Sequence, residues 1–438
     1  MRYVKFLAVI SIFLCFTASN VRAEEVLTWM ECVKQAKTNH PDLVAAVEKV
    51  KQAKATKEVT RSAAMPDING DASEITSKNA SISGAGSSLQ NSSGGSSKDA
   101  NTTYTYGASI QQLLFDGFKT SYDLSADERK IIATKYNYDV VSSNVRLRLR
   151  TAFANLLGAQ EYLRVTEEIE ARRKQSLELV RLKYEAGREH RGSLLTSEAD
   201  LAQAKFDVDQ AKRSIYLAER QLTKEMGSAV FIPAVAKGEL KVKEAEREQP
   251  DFEKLTETTP FLQQLIAQKE AARFGVRSAK AQFFPQIYFN GDVGNTNVNS
   301  FPDKNEWSAG TTLTLPIFDG GYTVATVSKA KATLGQAEAD ERSGRDSVVL
   351  TLSDTWIKLQ DAVDKVEVQR KFMEAAKERA RISDAEYSIG LSIYDNWIII
   401  ENNLVSAEKA LVTAERDAMI AEANWIQAKG GTLDYDQE

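Results

Sequence analysis

The chain holds 61 Asp and Glu residues but only 2 His among its 438 residues. Most of those carboxylates stand three or four positions from a Lys or Arg on helix-like stretches. That is the pattern of solvated ion pairs, not of an acid–base dyad. His190 has no companion at metal-ligand spacing, and no Cys/His cluster occurs. A glycine-rich phosphate loop and a Gly-x-Ser-x-Gly elbow are both missing. No enzyme activity, cofactor or metal is therefore expected. The acids that do stand out have a structural task. Asp116 lies in "LLFDG" (113–117) and Asp319 in "LPIFDGG" (315–321). Each follows an alternating apolar stretch and precedes a helix-like run. A carboxylate there can accept orphan N–H groups at a helix start. Gly117 and Gly320 permit the sharp turn, and Phe115 and Phe318 complete the two corners.

These corners belong to a duplication. Asp116 and Asp319, Tyr184 and Tyr387, Gly187 and Gly390, and Gly227 and Gly430 are all separated by one step, 203 residues (319 − 116). Pro41 and Pro260, like Pro66 and Pro285, are separated by 219 (260 − 41). The difference falls in Thr76 to Asn101, where 16 of 26 residues are Ser, Gly or Asn, the composition of a long flexible loop. Matched lengths elsewhere indicate two copies of one rigid unit.

Each copy reads as helix, strand pair, very long helix and returning helix. The first repeat is expected over 24–230. It comprises a helix from about Leu27 to Ala64, strands 66–75 and 103–114, a long helix 118–186 and a returning helix 193–226. A linker or equatorial segment spans 231–258. The second repeat covers 259–431, with a helix from about Pro260, strands 285–295 and 306–316, a long helix 321–389 and a returning helix 393–429. A tail, 432–438, ends the chain. In "YTYGASI", Tyr104, Tyr106, Ala108 and Ile110 share one face and Thr105, Gly107 and Ser109 the other. Leu352, Leu359, Val366, Met373, Ala380 and Tyr387 recur every seven residues, as supercoiled helices require. A helix of this length, at 1.5 Å per residue, reaches about 100 Å.

Residues 1–23 read as a secretory signal cleaved near Ala23: Arg2 and Lys5 come first, then an apolar run, then small residues. Its removal takes Cys15 and leaves Cys32 alone, so no internal disulfide is possible. The acidic balance, −5 overall, argues against nucleic acid. The strands have the length that crosses a bilayer at a tilt. Proline ends a helix and tolerates a first strand position, so Pro66 and Pro285 mark the passage from helix into strand. Four corners thus define one plane. Four strands alone would leave unpaired edges in hydrocarbon. Several copies must close the ring, and three would give twelve strands and a lumen.

The duplicated units resemble the TolC family of bacterial outer-membrane efflux proteins. The residues that carry the likeness are "NHPDL" (39–43) and "TTPFL" (258–262), Pro66 and "FFPQI" (283–287), both Phe-Asp-Gly corners, "KYEAG" (183–187) and "EYSIG" (386–390). It extends over about 26–431. The resemblance implies an α+β membrane protein, a homotrimer. Its long coiled-coil α-helical barrel would continue into a transmembrane antiparallel β-barrel, with four strands per protomer and twelve strands and twelve helices in all. The place implied is the outer membrane, in contact with its lipid, with a periplasmic extension. The work implied is export of small molecules or proteins, as tripartite efflux or type I secretion. The partners implied are a periplasmic adaptor and an inner-membrane pump of RND, ABC or MFS type. The resemblance assigns adaptor docking to the tip: Tyr184, Gly187, Arg188, Arg191, Tyr387, Gly390 and Ser392. It also implies a tunnel constriction just after the second glycine. Here Asp395 and Asn396 are the candidates, and three copies of Asp395 would form a carboxylate ring favouring cations. Relatives carry further acids where this chain has Asn396 and Ile399. A non-conducting coiled-coil stalk or adhesin is the alternative; it predicts heptads but not four amphipathic strands.

Overall fold

The computed structural model describes residues 25–77, 101–231, 233–242, 248–297 and 306–435. The expected signal with Cys15, most of the Ser/Gly/Asn-rich insertion and the end of the tail lie outside them. The chain begins with β1 (Glu25–Thr28), α1 (Trp29–Asn39) and α2 (Pro41–Ser62). Then come β2 (Asp67–Ser77), β3 (Asn101–Phe115), α3 (Lys119–Glu185), α4 (Arg191–Glu225) and β4 (Ala234–Lys237). The second copy runs through α5 (Phe252–Thr258), α6 (Pro260–Ala281), β5 (Gln286–Asn297), β6 (Glu306–Thr314), α7 (Tyr322–Ile389) and α8 (Tyr394–Ala428).

The described residues form two compact units. One gathers 25–40, 148–242 and 362–420; the other gathers 41–147, 248–361 and 421–435. Each draws on both copies, so compactness cuts across the repeat boundary. The first unit holds α3 from Arg148 onward and all of α4, with α7 from Ala362 onward and α8 as far as Ile420. Its packing includes a cluster of Val165 and Ile169 (α3), Ala204 (α4) and Val412 (α8). The second unit holds the four-stranded sheet and the four corners, while the β1–β4 pair lies in the first.

The first helix differs from expectation. It breaks into α1 and α2 at His40, whose backbone is extended (φ −66°, ψ 122°). Pro41 follows, and a proline disfavours helical geometry in the residue before it. The copy-two counterpart repeats this: Thr259 is extended before Pro260, between α5 and α6. Ahead of α1, β1 pairs in parallel with β4, an element the sequence did not suggest. Thr28 caps α1 in a reciprocal box: Thr28 N donates to Glu31 Oε2 at 2.7 Å, and Glu31 N donates to Thr28 Oγ1 at 3.4 Å.

α3 and α7 are unbroken over 67 and 68 residues. Neither contains a proline, and their apolar heptad positions Leu149, Leu156, Leu177, Leu352, Leu359 and Ala380 are buried. Helices of this length owe their stability to such lateral packing rather than to propensity.

The sheet has order β2-β3-β5-β6, with every neighbouring pair antiparallel. Register places Ile68, Ile110, Gly291 and Ala309 in one cross-strand row, and Ala108, Val293 and Trp307 on the same face. The opposite face is polar and laced by side chains. Gln111 Nε2 donates to Asn290 Oδ1 (3.2 Å), Asn290 Nδ2 to Thr312 Oγ1 (3.1 Å) and Ser308 Oγ to Asp292 Oδ2 (3.1 Å). β2 extends past the expected strand end. Thr76 and Ser77, read as loop, pair with Thr102 and Asn101. β6 stops at Thr314, two residues short of the expected end. The edge strands β2 and β6 run in opposite directions, each with one unpaired side.

Candidate functional site

Two kinds of site residue were expected, and each lies within one unit. The corners belong to the second. Asp116 Oδ2 accepts from Thr120 N at 2.8 Å and from Thr120 Oγ1 at 2.5 Å. Asp319 repeats the arrangement: Oδ2 accepts from Thr323 N at 2.8 Å and from the Thr323 hydroxyl, and Oδ1 accepts from Gly321 N at 3.0 Å. The Thr323 hydrogen bonds hold the Asp319 carboxyl below its ordinary range. Both acids thus satisfy donors that a helix start leaves orphaned. Gly117 has φ +68°, and a Cβ there would lie 2.5 Å from Phe284 Cβ and 2.8 Å from Ala281 O. Gly320 has φ +67° with open space around it. The next positions share left-handed backbone but not residue type: Phe118 has φ +68° and Gly321 has φ +88°. The Phe118 backbone therefore sits outside the helix expected to start there. Its ring packs edge-on against Phe115, centroids 5.6 Å apart. Pro66 and Pro285 each directly precede a strand. Around the second corner, Ile317 and Phe318 are 92% and 88% exposed.

The tip belongs to the first unit. Gly187 (φ +69°) and Gly390 (φ +84°) end α3 and α7 in the same cap. Gly187 N donates to Tyr184 O (2.9 Å) and Arg188 N to Lys183 O (2.8 Å). In α7, Gly390 N donates to Tyr387 O (3.2 Å) and Leu391 N to Glu386 O (2.8 Å). This is the Schellman arrangement, which needs left-handed backbone at the glycine. His190 caps α4 by accepting from Ser193 N at 3.2 Å.

The two tyrosines that the repeat equates have different environments. Tyr387 is 1% exposed and Tyr184 is 38% exposed. Tyr387 stacks on Trp397 with centroids 4.3 Å apart and planes 7° apart, and Tyr394 meets both rings edge-on. Val180 of α3 completes that core. At the polar rims, Tyr387 and Tyr394 reach across to the first copy, while Trp397 is held within the second. Tyr387 Oη donates to Glu189 Oε2 at 3.0 Å, Trp397 Nε1 donates to Asp384 Oδ1 at 2.6 Å, and Tyr394 Oη lies 3.0 Å from Ser197 Oγ. Lys183 Nζ lies 3.8 Å from the centre of the Tyr387 ring and donates to the Tyr387 carbonyl. Burial raises the Tyr387 and Tyr394 phenols above their usual range and lowers the Lys183 ammonium. The Glu189 hydrogen bond adds to the rise at Tyr387. Farther from the turns, Arg172 pairs with Glu408 and Arg173 with Asn402, and Glu401 is buried beside them.

Of the expected tip residues, Arg188, Tyr387, Gly390, Ser392 and Asp395 line one cleft, together with Lys183, Glu189 and His190. Tyr184, Gly187, Arg191 and Asn396 lie outside its lining, and all four are exposed. Asp395 is an exposed acid in the first turn of α8. Sequence reading missed Lys183, Asp384, Tyr394 and Trp397. The signal for the aromatic pair was available, since Tyr394 and Trp397 stand three apart on one face of the returning helix. Among the described residues, no group of His, Cys, Asp and Glu could hold a metal ion. No described helix is long and apolar enough to cross a membrane.

The model of the family "Outer membrane efflux protein" matches residues 32–228 and 253–431. The outer membrane efflux protein BepC of Brucella suis is 23% identical over 284 residues, covering 64% of this chain and 61% of BepC. The chain thus spans under two thirds of that relative. The outer membrane protein TolC of Vibrio cholerae is 23% identical over 377 residues, covering 82% of this chain and 81% of TolC. Among solved structures, a membrane protein from Pseudomonas aeruginosa superposes with TM-score 0.81 at 19% identity, covering 92% of this chain and 90% of its own. The open-state MtrE outer membrane channel of Neisseria gonorrhoeae does so with TM-score 0.79 at 20% identity, covering 93% and 90%. Both likenesses show a shared fold: long paired helices with a small antiparallel sheet. With both copies matched at their own positions, the chain belongs to the outer membrane efflux protein family, the channel family of TolC.

Proposed function

We propose that the chain is a homotrimeric outer-membrane channel that exports cargo handed over by an inner-membrane pump through a periplasmic adaptor. The observation that carries this reading is the sheet. One face is apolar, the other is polar and cross-linked by hydrogen bonds, and both edges are open. Exposed Trp307, Ile317 and Phe318 suit a lipid boundary. In bilayer, the open edges demand partners, and opposite edge directions let β6 of one copy pair antiparallel with β2 of the next. In this reading the signal, cleaved near Ala23, takes the chain across the inner membrane, from where it reaches the outer membrane.

The tip turns at Gly187 and Gly390 are the adaptor site in this reading. Their exposed Tyr184, Arg188 and Arg191 on one copy, and the cleft at Ser392 on the other, supply the contact surface. Asp395 at the start of α8 lines the tunnel mouth as a ring of three carboxylates. Reconstitution of the purified chain into planar bilayers tests the whole reading, with ohmic conductance and heat-modifiable gel migration as the expected results. A non-conducting, heat-insensitive product would mark a stalk instead. Raising salt should weaken cation preference if Asp395 sets it.

A further inference from the structure

A cavity of about 220 Å³ lies beside the turn that ends α8, walled by α3, α6, α7 and α8. Its origin is a difference between the two copies. At the first joint, Glu225 Oε2 lies 3.1 Å from Arg148 Nε and 3.6 Å from His40 Nε2, and Glu225 Oε1 lies 3.0 Å from Lys224 Nζ. The corresponding residues at the second joint are Ala428, Thr351, Thr259 and Gln427, and all four line the cavity. The turn glycine and the proline are kept, as Gly227 with Pro41 and Gly430 with Pro260. A charged cluster fills one joint, while shorter neutral side chains leave the other open.

The lining has a definite hydrogen-bonding character. Thr259 Oγ1 donates to Thr256 O (2.8 Å) and Thr351 Oγ1 to Ser347 O (2.8 Å). Ser143 Oγ donates to Gln427 O (3.3 Å), and Gln427 Nε2 donates to Asn144 Oδ1 (2.9 Å). These hydroxyl protons are committed, but each hydroxyl oxygen keeps lone pairs. Phe261, Pro260 and Val348 supply apolar wall. No carboxylate lines the cavity to balance an ammonium, and no cation lines it to hold an anion. Phe261 and Thr351 at the mouth are exposed, but Thr259 and Val348 on the floor are buried, and an unpaired charge against that floor would be costly in either case.

We propose that this cavity binds a small neutral hydrogen-bond donor with an apolar body, an alcohol or phenol of on the order of ten non-hydrogen atoms. Such a ligand donates its hydroxyl proton to Thr259 or Thr351 and lays its body on Phe261 and Val348. It braces α6 against α8 and so raises the thermal stability of the folded chain.

The test uses the purified full chain in detergent, with 2-phenylethanol as probe, followed by saturation-transfer NMR and thermal denaturation. Saturable binding near 1 mM in order of magnitude is expected, with a rise in Tm. Phenylacetate, an anion with the same ring, should bind at least tenfold more weakly. Ala428→Leu fills the space and should weaken probe binding at least tenfold. Thr351→Val keeps the shape but removes the acceptor, and should weaken it several-fold without loss of fold. Undiminished binding by both variants, or equal binding of phenylacetate, would overturn the proposal. So would an absence of saturable binding. A particular form of that last outcome, with Ala428→Leu also dissociating the oligomer, would assign the cavity to a side chain of a second copy.

Discussion

Gly187 and Gly390 at the tip, and Gly227 and Gly430 at the opposite ends of the returning helices, close their helices with one cap. All four have φ between +69° and +84°. Gly227 N donates to Lys224 O and Ser228 N to Thr223 O, while Gly430 N donates to Gln427 O and Gly431 N to Ile426 O. The surroundings differ. A Cβ on Gly227 would lie 2.6 Å from the Asn39 carbonyl, and one on Gly430 would lie 2.3 Å from Pro260 Cδ. A Cβ on Gly187 or Gly390 would meet nothing within 4 Å. The same motif is therefore a packing joint at one end and a free turn at the other. Identical local chemistry does not imply identical mutational cost.

That contrast can be broken by substitution. Gly227→Ala and Gly430→Ala combine left-handed strain with a backbone or proline clash, and should each cost about 3 kcal/mol or more in thermal or denaturant unfolding. The aromatic lock comes next. Tyr387→Ala empties a buried ring site and should cost roughly 3 kcal/mol, whereas Tyr184→Ala, at an exposed position, should change stability by under about 0.5 kcal/mol. Equal effects at 184 and 387 would refute the asymmetry of the two copies. Gly187→Ala and Gly390→Ala should lose only about 1 kcal/mol, the left-handed penalty alone. Gly390→Trp should leave trimers intact but impair export, because it crowds the proposed docking surface. Unchanged export in that variant would remove the assignment.

The smallest effect concerns pH. Burial, then the nearby Asp384, raises the Glu401 carboxyl above its ordinary value of 4.5, while Arg172 and Arg173 pull it down. The folded chain therefore holds this proton more tightly than the unfolded chain does. Glu401 contributes stability that is fully present below 4.5 and lost as pH rises through the elevated folded value. Glu401→Gln should flatten the pH dependence of Tm above 4.5. An unchanged slope would mean that Arg172 and Arg173 neutralise the site in both states.

Features set by backbone rules were legible in the residues themselves. The glycines at 187 and 390, Asp116 and Asp319 as acceptors at helix starts and the two-residue alternation around Tyr104–Ile110 each follow from a local constraint. The division of the first helix was also written there, as His40-Pro41, but a continuous apolar pattern overrode that signal. The β1–β4 pair was not readable, because four-residue strands carry no period and their pairing is fixed by chain folding far along the sequence. At the tip, the repeat made Tyr184 and Tyr387 look equivalent. Their separation arises from Trp397 and Tyr394, whose copy-one counterparts are Leu194 and Arg191. A duplication preserves the frame and lets side chains diverge, and the unlike halves of the tip are the result.

The sheet holds one more lesson. A tile of four strands that starts upward and ends downward fits its own duplicate without a mismatched seam, however many tiles join. Backbone pairing alone is thus indifferent to how many chains share the ring. In the proposed ring the count would then be set by how neighbouring rods nest, and variants that alter stoichiometry should be sought among rod residues rather than in strands.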